Sequence, residues 1–170
     1  ENDLIRRYRE VAAYSDCDSA IEDIVNEAII AHEEDQSVEI VLDDVKASPN
    51  VKKKISEEFD EILRILKFED RGHELFRTWY IDGRMYFNIL IDQNRINDGI
   101  AELRYIDPRK IRKIKNIKKE KNAKGVEVVK SIEEYYLYND KGITEQTTQG
   151  IKLSLDSVIF VPSGTTDANT

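Results

Sequence analysis

Apolar residues recur along this chain with two periods, and the change of period divides it. Up to Gly83 they come every three or four residues, as one face of a helix requires; after Gly83 they alternate, as one face of a strand requires. Ile5, Tyr8 and Ala12 predict a short helix that Asn2 or Asp3 can cap and that Ser15-Asp16 interrupts. Ser19 followed three residues later by Glu22 is a capping-box pattern, and Ile21, Ile24, Val25, Ala28 and Ile29 follow at helical spacing, so a second helix is expected near 17–31. Val38 to Leu42 predicts a short strand, and Asp43 to Pro49 a loop. Asn50 can cap a long helix near 51–67 whose stripe is Val51, Ile55, Phe59, Ile62, Leu63 and Leu66. Glu69 to Gly72 reads as a turn. Leu75, Phe76, Trp79 and Tyr80 then form a fourth helical stripe, ended by Gly83 as a C-terminal cap.

In the second half Met85, Phe87, Ile89 and Ile91 alternate. Asn97-Asp98-Gly99 is a turn signal, and Ala101, Leu103 and Tyr105 alternate again, which predicts a hairpin over 84–106. Asp107-Pro108 breaks its second strand. Ala123-Lys124-Gly125 turns between the Ile111–Ile117 run and Val126-Glu127-Val128-Val129, a second hairpin pointing away from the body. Tyr135 to Tyr138, then Ile151, Leu153 and Leu155, then Val158 to Val161 complete the strands. Helices followed by strands predict an α+β fold, one domain over 1–170 with a helical half (1–83) packed on a small antiparallel sheet (84–162) and a polar tail (163–170). Trp79 is expected in the core, clamping helices to sheet, where its loss would cost about 3–5 kcal/mol.

The 170 residues suffice for one domain with its own core, and no apolar run approaches the roughly 18 residues of a membrane span, so membrane insertion is not expected. The start at Glu1 and the polar stretch 163–170 read as those of a piece of a longer protein. Charge changes the picture more. The formal net charge is −8, against the basic excess usual in nucleic-acid-binding domains. Residues 1–70 hold 9 basic and 20 acidic groups, net −11, whereas 109–124 hold 9 basic and 1 acidic, net +8.

Catalytic chemistry finds little support. His32 and His73 each lack a second His or Cys at zinc-ligand spacing. The single cysteine, Cys17, stands between Asp16 and Asp18, which oppose a reactive thiolate, and it excludes an internal disulfide. Neither a nucleophile elbow nor a glycine-rich phosphate loop is present, so no cofactor is expected and hydrolase activity is not. A metal-dependent nuclease would need acids converging from different elements; Glu33-Glu34-Asp35, Asp43-Asp44 and Glu57-Glu58 are adjacent pairs of the kind that solvated faces supply.

The one conspicuous constellation is the basic segment, with Arg109, Lys110, Arg112, Lys113, Lys115, Lys118, Lys119 and Lys121 as candidate contact residues. As a strand it presents Ile111, Lys113, Lys115 and Ile117 on one side and Arg112, Ile114, Asn116 and Lys118 on the other. A lysine-rich strand with scattered isoleucines fits an edge strand guarded against aggregation or a partner contact. Polyanion binding is the alternative, but interleaved aromatics for base stacking are missing.

Several stretches carry a resemblance. Trp79-Tyr80-Ile81-Asp82-Gly83-Arg84-Met85-Tyr86-Phe87, the run Gly99 to Ile111 with Tyr105-Ile106-Asp107-Pro108-Arg109-Lys110-Ile111, Glu134-Tyr135-Tyr136, Gly150 to Leu153 and Asp156 to Val161 resemble the portal protein of large contractile-tailed bacteriophages. Arg7-Tyr8-Arg9-Glu10 and Asp16 to Ala28 resemble the early segment of the same family. The resemblance implies a non-enzymatic subunit of a homo-oligomeric ring, usually of twelve, at one capsid vertex, with genome DNA passing through the ring. It implies contacts with major capsid and scaffold proteins and, through regions beyond this chain, with the terminase motor and neck proteins. The implied location is the virion, and the host cytoplasm during assembly. This chain would be the peripheral wing region, and alone it is expected to be monomeric, since it lacks the stem and clip. A nucleic-acid-binding module using 109–124 is the alternative.

Overall fold

The computed structural model describes residues 2–29, 37–96, 99–121, 127–144, 147 and 149–164, with Lys121 described by its backbone. Four helices come first: α1 Asn2–Ala12, α2 Ser15–Ala28, α3 Pro49–Leu66 and α4 Phe68–Asp82. Six strands follow: β1 Arg84–Leu90, β2 Glu102–Ile106, β3 Ile111–Lys121, β4 Glu127–Tyr138, β5 Ile151–Leu153 and β6 Val158–Pro162. The α+β expectation holds, but the strands make two antiparallel three-stranded sheets rather than one, in the orders β2-β1-β6 and β3-β4-β5.

The sheets separate because β1 is buried on both faces. Met85 and Phe87 point one way and join Leu75 of α4 in a cluster that Leu66, Phe68, Trp79, Leu103, Tyr105 and Ile159 pack against. Tyr86 points the other way, into a cluster with Ile106, Ile111, Tyr136 and Val158 that ties the two sheets together. The first sheet is thus the middle layer of three. Ring contacts reinforce it: Tyr86 stacks on Phe160 at 4.8 Å and meets Tyr136 edge-on at 6.0 Å.

The local signals are partly revised. The second helix begins at Ser15, so Ser19 and Glu22 lie inside it and form no capping box; Glu22 is instead taken by Arg77 of α4. Helix α3 starts from Ser48 with Pro49 in its first turn, displacing Asn50 as cap, because proline's missing N–H costs nothing there. The turn expected at Glu69–Gly72 is helical; the break is confined to Lys67, whose φ of 52° ends α3 and starts α4. Gly83 caps α4 at φ 68°, as its position predicts. Val38 to Leu42 is not a strand, since it pairs with no other strand among the described residues. Trp79 is half-buried at the border of its cluster, and its indole Nε1 is buried without a hydrogen-bond partner among the described residues. His32, Glu33-Glu34-Asp35, Asn97-Asp98, the Ala123-Lys124-Gly125 turn and the tail from 165 on lie outside the described residues.

Candidate assembly surface

The basic segment begins not in a strand but in the 3-10 turn Pro108–Lys110 that follows β2. Asp107 nucleates this turn by accepting the Arg109 backbone N–H at 2.9 Å. Three chain segments grip the turn from outside. Asn2 of α1 donates its side-chain amide to the Arg109 carbonyl at 3.0 Å and to the Ile143 carbonyl, so it tethers the helix instead of capping it. The Ile143 N–H returns to the Arg109 carbonyl at 2.9 Å, and the Asn139 N–H reaches the Lys110 carbonyl at 2.9 Å.

Beneath the turn lies an ionic knot. Arg9 of α1 places Nε 2.8 Å and Nη2 2.6 Å from the two oxygens of Asp82, the last residue of α4, and Nη1 3.1 Å from Asp107. Arg109 closes on the same Asp107 from the other side at 2.8 Å. The Asp82 hydrogen bond raises the Arg9 guanidinium against the opposing effect of burial. Burial also pushes the Asp107 carboxyl up, but the hydrogen bonds from Arg109 and Arg9 outweigh it and hold the group well below the usual carboxylate range. Tyr105, half-buried beside both carboxylates, is pushed up to about 12, by burial first and then by the charges of Asp82 and Asp107.

From this base β3 and β4 run out as a ribbon. β3 is an edge strand, as its lysines suggest. Among the described residues β5 pairs only with Tyr136, Leu137 and Tyr138 of β4, which leaves the ribbon beyond them with two open edges. The positions from Lys115 to Glu120 and from Glu127 to Glu133 are exposed, over a length of roughly 20 Å. Lys130 is an extra residue between the pairs Lys118↔Ser131 and Lys119↔Val129, a bulge that adds local twist.

The register decides what the positive charge can do. Lys113 and Lys115 converge on Glu134 at 2.8 and 3.0 Å, and their hydrogen bonds hold its carboxyl below the usual value. Lys119 is 3.6 Å from Glu127, and Lys130 on β4 answers Glu120 on β3 at 2.8 Å. Lys152 lies 4.5 Å over the Tyr135 ring. Lys110 binds Asp140 at 2.8 Å. Arg112 is half-buried, and its Nε has no acceptor among the described residues. Lys118 is exposed and has no carboxylate within 4 Å among the described residues. Thus Arg109 and Lys110 belong to the base, Arg112 to the root, and Lys113, Lys115, Lys118 and Lys119 to the projecting part; the Lys121 backbone pairs with Glu127. The sequence reading missed the counter-charges on β4 and the Arg9–Asp82–Asp107 knot. Cross-strand pairing with Glu134 needs a register, and Arg9 lies 73 residues from Asp82 along the chain.

The projecting face is not only charged. Ile117 and Ile132 stand opposite each other, 48% and 55% exposed, with Val129 beside them at 55%. Scattered single apolar residues are ordinary on a surface; here three stand together on one ribbon face, flanked by Lys115 and Lys119. Among the described residues, Asp43-Asp44 and Glu57-Glu58 included, no three His, Cys, Asp or Glu side chains could hold a metal ion. Cys17 is a free, half-buried thiol. His73 meets Asn26 at 3.0 Å. No described helix is long and apolar enough to cross a membrane.

Comparison with known proteins agrees with the resemblance. The family model for the Bacteriophage T4-like portal protein (Gp20) matches residues 1–170. The portal protein of Vibrio phage KVP40 is 36% identical over 170 residues, covering 95% of this chain and 32% of that protein. The portal protein of Salmonella phage ViI is 26% identical over 175 residues, covering 95% of this chain and 31% of that protein. The chain therefore spans about a third of the length of the curated relatives it matches.

Proposed function

The chain belongs to the Bacteriophage T4-like portal protein family, and from that premise we propose that it is a structural, non-enzymatic segment of a portal ring, its wing region, working through protein contacts. The observation that carries this reading is a match over the whole chain combined with a surface that bears a projecting ribbon. The ring is a homo-oligomer at a capsid vertex, the genome passes through its channel, and capsid and scaffold proteins meet its periphery. The ribbon serves subunit or capsid contact rather than DNA. Its lysines are partly neutralised by Glu134 and Glu127, and the exposed patch between them is aliphatic, without an aromatic platform for bases.

Two measurements test the reading. Electron microscopy of the full-length protein should show closed rings, and neutralising Lys113, Lys115, Lys118 and Lys119 should reduce ring or prohead assembly. Retention of this chain on duplex DNA should disappear at physiological salt, where a true phosphate-gripping surface would keep affinity. Normal assembly by the neutralised protein, with DNA binding lost, favours the nucleic-acid reading instead.

A further inference from the structure

A second surface complements the ribbon. Helix α2 buries Val25 and turns Asp18, Ile21 and Glu22 toward α4, where Arg77 binds both Asp18 and Glu22. At about 100° per residue, Asp16, Asp23 and Glu27 fall within roughly 40° of one another on the opposite side. All three are exposed, and no cation lies within 4 Å of them among the described residues. Asp23 and Glu27 repel each other at i,i+4, and Glu27 sits in the last turn, where the helix dipole is negative and no basic residue is present. Beside this stripe lie exposed Ala20 and Ile24. The surface has an apolar flank and three carboxylates without counter-charges among the described residues.

The ribbon face has the converse. Ile117, Ile132 and Val129 form its apolar centre, Lys115 shares one carboxylate with Lys113, and Lys119 holds its own only loosely. From Lys115 to Lys119 is roughly 13 Å of strand; from Asp16 to Glu27 is roughly 16 Å of helix. Among the described residues no ion pair joins the ribbon to α2 within one chain. Both surfaces are left open by the fold.

We propose that the β3–β4 ribbon of one subunit docks on the outward face of α2 in a second copy, its lysines on Asp16, Asp23 and Glu27 and its aliphatic patch on Ala20 and Ile24. This rests on the ring reading and names the two surfaces that meet. Such a contact joins different patches on the two copies, the heterologous kind that forms a ring when its rotation closes.

The test uses the full-length protein and counts rings by electron microscopy. Lys115→Glu with Lys119→Glu should lower ring yield roughly tenfold or more, because like charges then face each other. Asp23→Lys with Glu27→Lys should do the same, and all four changes together should recover most of the loss. Assembly that tolerates the α2 reversal, or a combined variant no better than either parent, overturns the docking while leaving the portal reading intact. Wild-type protein that forms no ring overturns both. Because reversed ribbon charges also face Glu134 and Glu127, a second measurement uses wild-type rings. Zero-length carbodiimide crosslinking should join a ribbon lysine to the α2 peptide between subunits; ribbon crosslinks between subunits that all lead to other segments refute the inference.

Discussion

Arg9 grips Asp82 with a two-pronged hydrogen bond, Nε at 2.8 Å and Nη2 at 2.6 Å, across the junction between the first helix and the end of the fourth. Asp82 is only 2% exposed, and its charge is tolerable inside the fold because this fork meets it. Three of the stretches that carry the family resemblance, around Arg9, Asp82 and Asp107, converge on this point. The knot also sets the base from which the ribbon departs.

Arg9→Met should therefore be severe. It removes one partner of a buried pair and leaves Asp82 uncompensated, a change of about 3–5 kcal/mol. Arg9→Lys should recover only part of the loss, since an ammonium cannot bridge both carboxylates with a planar fork. Urea denaturation of the variants checks both. Arg9→Met with an unchanged midpoint would show that the pair is dispensable.

Stability should fall at both ends of the pH range, for different groups. Asp107 is depressed in the folded state, so its contribution is fully present above the ordinary aspartate value of about 4 and is lost as pH falls below it. Tyr105 is raised to about 12, so its contribution is present below about 10 and is lost as pH rises between those values. Asp107→Asn should flatten the acid limb of a stability-against-pH curve, and Tyr105→Phe the alkaline limb. Limbs that stay unchanged would mean other groups govern them.

Trp79 is half-buried rather than central, so Trp79→Ala should cost about 1–3 kcal/mol, less than full burial would demand. Trp79→Phe should be nearly neutral, because it also removes an indole N–H that lacks a partner. Thermal melts of the two variants, compared with the unaltered chain, measure the difference; equal losses would contradict it.

Changing Lys113, Lys115, Lys118 and Lys119 to glutamine should leave the fold intact. Each is exposed, and exposed ion pairs are worth about 0–1 kcal/mol apiece. Circular dichroism and a melting curve close to those of the unaltered chain are expected; a collapse of the fold would assign these lysines a structural role instead.

Gly150 enters β5 against the backbone of β4. A Cβ there would lie 2.4 Å from the Tyr138 carbonyl oxygen, which cannot move without breaking the sheet. Gly150→Ala should destabilise by about 1–3 kcal/mol, measurable in the same melts.

What the linear sequence determined here is periodicity and its punctuation. The helical stripes, the Gly83 cap, the alternation through β1 and β2, and the second hairpin follow from spacing that involves neighbours a few residues apart, and the charge asymmetry follows from counting. The partition of strands between two sheets was not legible, because Tyr86 stands between polar Arg84 and Asn88, so alternation gives that face to solvent, while in the fold Tyr86 is buried against the second sheet. The strand expected at Val38–Leu42 failed for a related reason: a strand exists only where another pairs with it. The tertiary structure alone decided that Arg9, Asp82 and Asp107 share one knot, since they lie up to 98 residues apart. It also decided that a segment of net charge +8 is partly neutralised along its own hairpin, because the register sets Lys115 opposite Glu134 and the pleat places both on one face.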